Sequence, residues 1–226
     1  MLGTLINTFA IIIGGSIGLL LHRNLPQRIT RIVFHAIGLF TLVLGISMAL
    51  KADETLLVIF SMVLGAIIGE GLRLDERVQI LSDTLQRRLR ASHSRFSEGW
   101  MTATLLFCVG SMAILGAIEE GLTGNPDLLM AKSVLDGFSS IALAAGMGAG
   151  VILSALPLLF YQGGLTLFAG LLEPVFTPHL LNQLTGVGGI LLLGLGLNLL
   201  EITTIKVLNI LPALLVVVVL SLLFLP

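Results

Sequence analysis

Four charged residues stand close together in a chain that otherwise avoids charge: Glu119, Glu120, Lys132 and Asp136. Ionisable groups are costly in hydrocarbon, so residues of this kind are candidates for an ion or solute path. Carboxylates at this density could hold a cation or an amine at an outer gate. They could equally form a salt-bridge cluster at headgroup level that joins two helix ends. Uncharged polar groups extend the set: Asn7, Ser111, Gln162 and Asn198 all lie within or beside apolar sequence. An amide buried without a partner costs several kcal/mol, so each must face protein, water or solute. Asn7 precedes Gly14-Gly15 by about two helical turns and shares their face, and Gln162 adjoins Gly163-Gly164. Glycine pairs at span centres could mark breaks whose backbone groups contact a solute, or could simply let helices pack closely. The candidate path is therefore Asn7, Gly14, Gly15, Ser111, Glu119, Glu120, Asp136, Gln162, Gly163, Gly164 and Asn198.

Catalytic signatures are missing. The sequence has no His-Glu-x-x-His and no cluster of His, Cys or carboxylates at metal-ligand spacing. Histidines at 22, 35, 93 and 179 are scattered, and Cys108 is the single cysteine. The expectation is a protein that is not an enzyme and carries neither metal nor cofactor.

The elements that must position these residues follow from composition. Of 226 residues, 56% are apolar and 11% charged, with mean hydropathy +1.06. Soluble domains hold about 45–50% apolar and roughly 25% charged residues. Those values exclude a soluble globular enzyme, a disordered chain and a nucleic-acid reader with an electropositive face. A helix needs about 20 apolar residues to cross the bilayer core, and runs of that kind fall near 3–21, 32–50, 55–72, 99–121, 133–155, 157–173, 180–200 and 206–225. The expectation is an all-α polytopic membrane protein of about eight transmembrane helices. The first run is expected to be retained rather than cleaved as a signal peptide. The long apolar stretch 134–172 is expected to divide at Leu156-Pro157, because proline interrupts the helix ladder.

Orientation follows from lysine and arginine. Arg23, Arg28 and Arg31 in one loop, and Arg73, Arg77, Arg87, Arg88, Arg90 and Arg95 in segment 73–98, are nine of the twelve basic residues. Two spans separate these loops, so both lie on one side, which the positive-inside bias makes cytoplasmic. Both termini are then expected outside. Within the basic segment Leu74, Val78, Leu81, Leu85 and Leu89 form a helical stripe suited to an anionic membrane surface, or to packing on other loops.

The chain also resembles itself. Gly14-Gly15 has a counterpart in Gly163-Gly164. The run Gly38 to Ala49, with glycines at 38 and 45 and Ser47, has one in Gly189 to Leu200, with Gly196 and Asn198. The organisation expected is one transmembrane domain over 1–226. It comprises a first repeat 1–72, the cytoplasmic amphipathic segment 73–98, linking helices 99–156 and a second repeat 157–226. Five spans precede the second copy, so the copies start on opposite sides and would be antiparallel: an inverted repeat of two three-helix units joined by two helices, as in many secondary transporters.

The runs Gly3 to Asn7 and Gly14 to Gly18, Cys108-Val-Gly-Ser-Met-Ala-Ile-Leu-Gly-Ala-Ile-Glu-Glu-Gly121, Tyr161-Gln-Gly-Gly164, Val187-Gly-Gly189 and Leu211-Pro-Ala213 resemble the YqgA/YdfK-type family of bacterial multipass inner-membrane proteins. That resemblance implies a bacterial cytoplasmic membrane, and a family of unknown function with transport suggested by its architecture. It assigns no residue roles. From the residues, the function expected is passage of a small solute or ion, leaning slightly to a cation or amine. The alternative is a non-transporting membrane scaffold or assembly partner. The partners implied are the lipid bilayer and the solute, with self-association of copies left open and no nucleic acid.

Overall fold

The fold is given by a computed structural model, in which the described residues are 1–24, 27–78, 80, 84, 96–108 and 111–224; the side chains of 22–24, 27, 30, 33, 34 and 111 also lie outside the description. Among the described residues every regular element is a helix: α1 (Leu2–Asn24), α2 (Gln27–Ala49), α3 (Thr55–Leu72), α4 (Phe96–Cys108), α5 (Ser111–Thr123), α6 (Asp127–Met147), α7 (Gly150–Leu153), α8 (Ala155–Leu167), α9 (Ala169–Leu172), α10 (Pro178–Leu199), α11 (Val207–Ile210) and α12 (Ala213–Phe224). Residues 74–78 are also helical; beyond Val78 the amphipathic stripe lies outside the described residues.

Among the described residues six helical stretches are long and apolar enough to cross a membrane: Leu2–Leu21, Thr55–Leu72, Asp127–Met147, Gly150–Leu167, Pro178–Leu199 and Val207–Phe224. The pair α4 and α5, bent by 55°, makes a seventh if it is one span. The remaining expected run, near 32–50, contains among the described residues a shorter apolar helix, His35–Ala49, within α2. Helix α1 explains why lipid suits these surfaces. Leu2, Leu5, Phe9, Ile12, Ile13, Ile17 and Leu20 are exposed, whereas Thr4, Asn7, Thr8, Gly14, Gly15 and Gly18 are buried. Most of its large apolar side chains point outward and most of its polar and small residues inward, with Ile11 buried and Ser16 exposed as exceptions, the reverse of a helix on a soluble domain.

One boundary differs from expectation. The break in the long apolar stretch falls at Gly148, with φ 80° and ψ −154°, and not at Leu156-Pro157. Only glycine takes that φ without strain, so it ends α6. Pro157 sits instead in the first turn of α8, where a missing N–H costs nothing.

The chain divides into two compact units, Met1–Ile37 with Ala91–Pro174, and Gly38–Arg90 with Val175–Pro226. In the first unit α1 runs parallel to α6. Gly3 faces Leu129, Gly14 faces Gly137 and Ser140, and Gly18 faces Ile141 and Ala144, so numbering rises together on both helices. The backbones nearly touch: a Cβ on Gly14 would lie 2.3 Å from the Gly137 carbonyl oxygen, and one on Gly18 2.3 Å from that of Ile141. Helix α8 crosses α1 in the opposite sense, because Thr4 meets Thr166 while Asn7 meets Gln162. The α4–α5 pair starts where Phe96 meets Gly150 and ends where Gly121 meets Thr166, so it runs alongside α7–α8 in the same direction.

In the second unit α2 and α10 are antiparallel. Gly38 lies against Leu199 and Leu200, Gly45 against Gly189, and Gly186 against Ala52. Helix α3 is likewise antiparallel to α11 and α12, with Gly65 on Ala213 and Gly69 on Asn209. At the start of α10 the Thr177 hydroxyl accepts the Leu180 N–H at 3.2 Å, and Pro178 occupies the first helical position.

Candidate functional site

The first unit buries a polar cluster where α1, α5, α6 and α8 meet. On α1, Thr4, Asn7 and Thr8 fall on the inward face through the spacing of three and four. On α6, Lys132 and Asp136 are one turn apart; on α8, Gln162 and Thr166 are one turn apart. All of these residues are buried.

Asn7 is the hub. Its Nδ2 donates to Asp136 Oδ2 at 3.0 Å and to Gln162 Oε1 at 3.3 Å. The same Asp136 oxygen takes the ammonium of Lys132 in an ion pair whose side chains are 10% and 8% exposed. Lys132 also lies 5.9 Å from the centroid of the Phe107 ring. Nearer the start of α1, Glu120 Oε1 accepts the Gly3 N–H at 2.7 Å and lies 3.0 Å from the Met1 amino group. The hydroxyls of Thr4 and Thr166 meet at 3.4 Å.

Several buried atoms in this unit have no hydrogen-bond partner among the described residues: Asn7 Oδ1, Gln162 Nε2, Glu120 Oε2, Thr104 Oγ1 and Trp100 Nε1. A buried polar atom is nearly always satisfied, so a group of exceptions calls for a water, an ion or a solute. Trp100 and Thr104 are one turn apart on α4.

The expected path residues are thus sorted. Asn7, Asp136 and Gln162, from three separate helices, are brought together. Glu120 holds the start of α1, whereas its neighbour Glu119 turns aside and accepts from Asn125 Nδ2 at 3.2 Å. Gly14 and Gly15 lie in an unbroken α1, where Gly14 faces α6 and Gly15 faces Ile152. Helix α8 also continues through Gly163 and Gly164. A Cβ on Gly163 would meet only the terminal methyl of Met1, at 3.5 Å, and one on Gly164 nothing within 4 Å. Neither pair is a helix break, because inter-helix contact or free space, and not backbone unwinding, is what these glycines provide. Asn198 lies in the second unit, where it closes a turn: Oδ1 accepts from Ile205 N at 2.8 Å and Thr203 Oγ1 at 3.0 Å, and Nδ2 donates to the Ile205 carbonyl at 2.7 Å. The Ser111 side chain lies outside the described residues.

Thr4, Thr166, Trp100 and Thr104 were not among the expected residues. The available signal was spacing: Thr4 with Thr8, and Gln162 with Thr166, repeat one turn apart on otherwise apolar helices.

The polar contacts of the second unit join its turns. Asn209 Nδ2 donates to Glu70 Oε2 at 2.6 Å, and Asn209 Oδ1 accepts the Asp75 N–H at 2.7 Å. Lys206 Nζ lies 3.9 Å from Glu70 Oε1. Asp53 Oδ2 accepts from Asn182 Nδ2 at 2.9 Å and lies 3.4 Å from His179 Nδ1. A groove of about 430 Å³ between α3 and α12 is lined by Leu56, Phe60, Leu64, Leu220 and Phe224, with Glu54 as its polar member. That lining suits an acyl chain and not a polar solute. No group of three His, Cys, Asp or Glu able to hold a metal is found among the described residues.

Fold and composition together define a polytopic α-helical membrane protein with a buried polar cluster in one of its two units. The chain belongs to the family described as "Protein of unknown function (DUF554)", which it matches over residues 2–222. It is 36% identical to "Uncharacterized protein YqgA" of Escherichia coli (strain K12) over 226 residues, covering 98% of this chain and 96% of that one. It is 37% identical to "Uncharacterized membrane protein YdfK" of Bacillus subtilis (strain 168) over 220 residues, covering 96% and 93%. No solved structure matches it.

Proposed function

We propose that the protein is a carrier or channel that passes a small polar solute across the bacterial cytoplasmic membrane, and is not an enzyme. One observation carries this reading. Asn7, Asp136 and Gln162 come from three helices to one buried point, and unsatisfied polar atoms remain beside it. In lipid, polar groups are kept at such cost where a polar solute or ion must be received.

The eight-span topology is part of the proposal, and helix directions support it. With every expected span crossing, spans one and five run the same way, as α1 and α6 do, and spans one and six oppose, as α1 and α8 do. Spans two and seven, and three and eight, oppose as well, matching α2 with α10 and α3 with α11–α12. A bent α4–α5 pair that returned to its starting side would make α1 and α6 antiparallel. The inverted repeat gains the same support, since each helix of the first copy packs antiparallel on its expected counterpart. Two opposed copies can exchange conformations and expose a site to either side in turn. Both termini then lie outside, with the arginine-rich loops in the cytoplasm.

A second reading, a non-transporting scaffold, draws on the second unit. Gly45, Gly65, Gly69 and Gly189 are closed tightly on neighbouring helices, and Asn198 and Asn209 clamp turns.

The test is flux into liposomes holding the purified full chain, screened with uncharged solutes and ions, beside an Asp136→Asn variant. Solute entry above protein-free vesicles, reduced in the variant, is expected. A folded protein that moves nothing contradicts the proposal and favours the scaffold.

A further inference from the structure

We infer that Asn7 and Gln162 form a binding site for one small uncharged solute of the primary-amide or urea class. This rests on the transport reading above and deepens it. The argument is one of valences. Asn7 Nδ2 spends its two hydrogens on Asp136 and Gln162, while Oδ1, an acceptor, has no partner. Gln162 Oε1 accepts from Asn7, while Nε2, a donor, has no partner. Both side chains are fully buried. Among the described residues, two amides joined by one hydrogen bond thus leave one buried acceptor and one buried donor without a partner. A ligand that satisfies both offers an N–H and a C=O, as an amide or urea does.

Charge argues against a cation at the same place. The adjacent carboxylate of Asp136 is already neutralised by Lys132. Between the two amides a single vacant oxygen remains, whereas a dehydrated metal cation needs several oxygen ligands. Gly163, next to Gln162 in sequence, is buried, and among the described residues of other helices a Cβ there would meet the Met1 methyl at 3.5 Å and nothing else within 4 Å. A flexible methionine tip can yield to a ligand where a backbone cannot.

The experiment is stopped-flow flux in proteoliposomes of the full chain, with urea and acetamide against potassium and methylammonium. Urea and acetamide are expected to cross about tenfold or more faster than in protein-free vesicles, which corresponds to about 1.4 kcal/mol. Gln162→Glu keeps the oxygen that Asn7 donates to but replaces the vacant donor by an acceptor. It should remove most of that gain, and Gly163→Leu, which fills the space, should do the same. Gly170→Ala, where a Cβ meets nothing within 4 Å, controls for the handling of variants and should match the parent. Potassium or methylammonium flux without urea flux overturns this assignment and leaves the transport reading standing. Water flux alone overturns it too. No flux of any solute through folded protein overturns both.

Discussion

Asn7 donates to the Gln162 side-chain oxygen across 3.3 Å, joining α1 to α8 where the two helices pass in opposite directions. A polar bond between separate helices, inside a membrane and beside an ion pair, couples residues 155 positions apart in the chain. Its energetic signature is measurable. Asn7→Ala should strand Asp136 and Gln162 and lower unfolding stability in detergent by about 1–3 kcal/mol. Gln162→Ala should cost a comparable amount. In a double-mutant cycle the pair should show coupling of roughly 0.5–1.7 kcal/mol. Strictly additive losses would mean the bond contributes nothing.

The Lys132–Asp136 pair makes a sharper prediction. Both side chains are at least nine-tenths buried, so removing one partner leaves a desolvated charge. Lys132→Met should destabilise by about 3–5 kcal/mol, as should Asp136→Leu, in which Lys132 is left alone. Lys132→Met combined with Asp136→Leu should recover most of that loss, because no charge remains to be stranded. Thermal unfolding of the three variants in one detergent measures this. A double variant as unstable as the worse single one would contradict it.

Glycine contacts predict a contrast between two positions with similar sequence surroundings. Gly14→Ala drives a Cβ to 2.3 Å from the Gly137 carbonyl oxygen, so α1 and α6 must separate. The cost should be about 1–3 kcal/mol, the range for overpacking. Gly163→Ala meets only a methionine methyl and should be close to neutral in stability. Equal losses at both sites, read by thermal unfolding, would show that helix packing is not what distinguishes them.

These contrasts also mark what sequence could and could not convey. Spans were legible because apolar runs of membrane length announce themselves. Asn7, Asp136 and Gln162 were legible as candidates because polar residues in such runs demand a partner. Their convergence was not, since it depends on helix directions that no local pattern encodes. Glu119 and Glu120 looked equivalent, yet adjacent helical residues point about 100° apart, and only Glu120 faces α1. The Gly148 break was hidden because a glycine's φ is not written in its sequence, while Pro157 drew attention at a position where helices tolerate proline. Asn198 matched a repeat yet serves a turn, because one amide can both donate to and accept from the same backbone segment.

Asn209 offers a test in the second unit. It bridges Glu70 and the Asp75 N–H, tying the segment after α3 to α11. Asn209→Leu should leave the helices in place but speed hydrogen exchange of the Asp75 amide. Unchanged protection there would show that the bridge does not hold the turn.

The inverted arrangement proposed for the two copies is the ground for alternating access, and it is open to direct measurement. Lys51 lies in the turn between the second and third helices of the first copy, and Thr204 in the corresponding turn of the second; both are exposed. With Cys108 replaced by serine, Lys51→Cys and Thr204→Cys can each be probed by a membrane-impermeant maleimide in right-side-out vesicles. Lys51→Cys is expected to react at once, and Thr204→Cys only after the membrane is permeabilised. Labelling of both from the same face would contradict the inverted copies and remove the ground for alternating access.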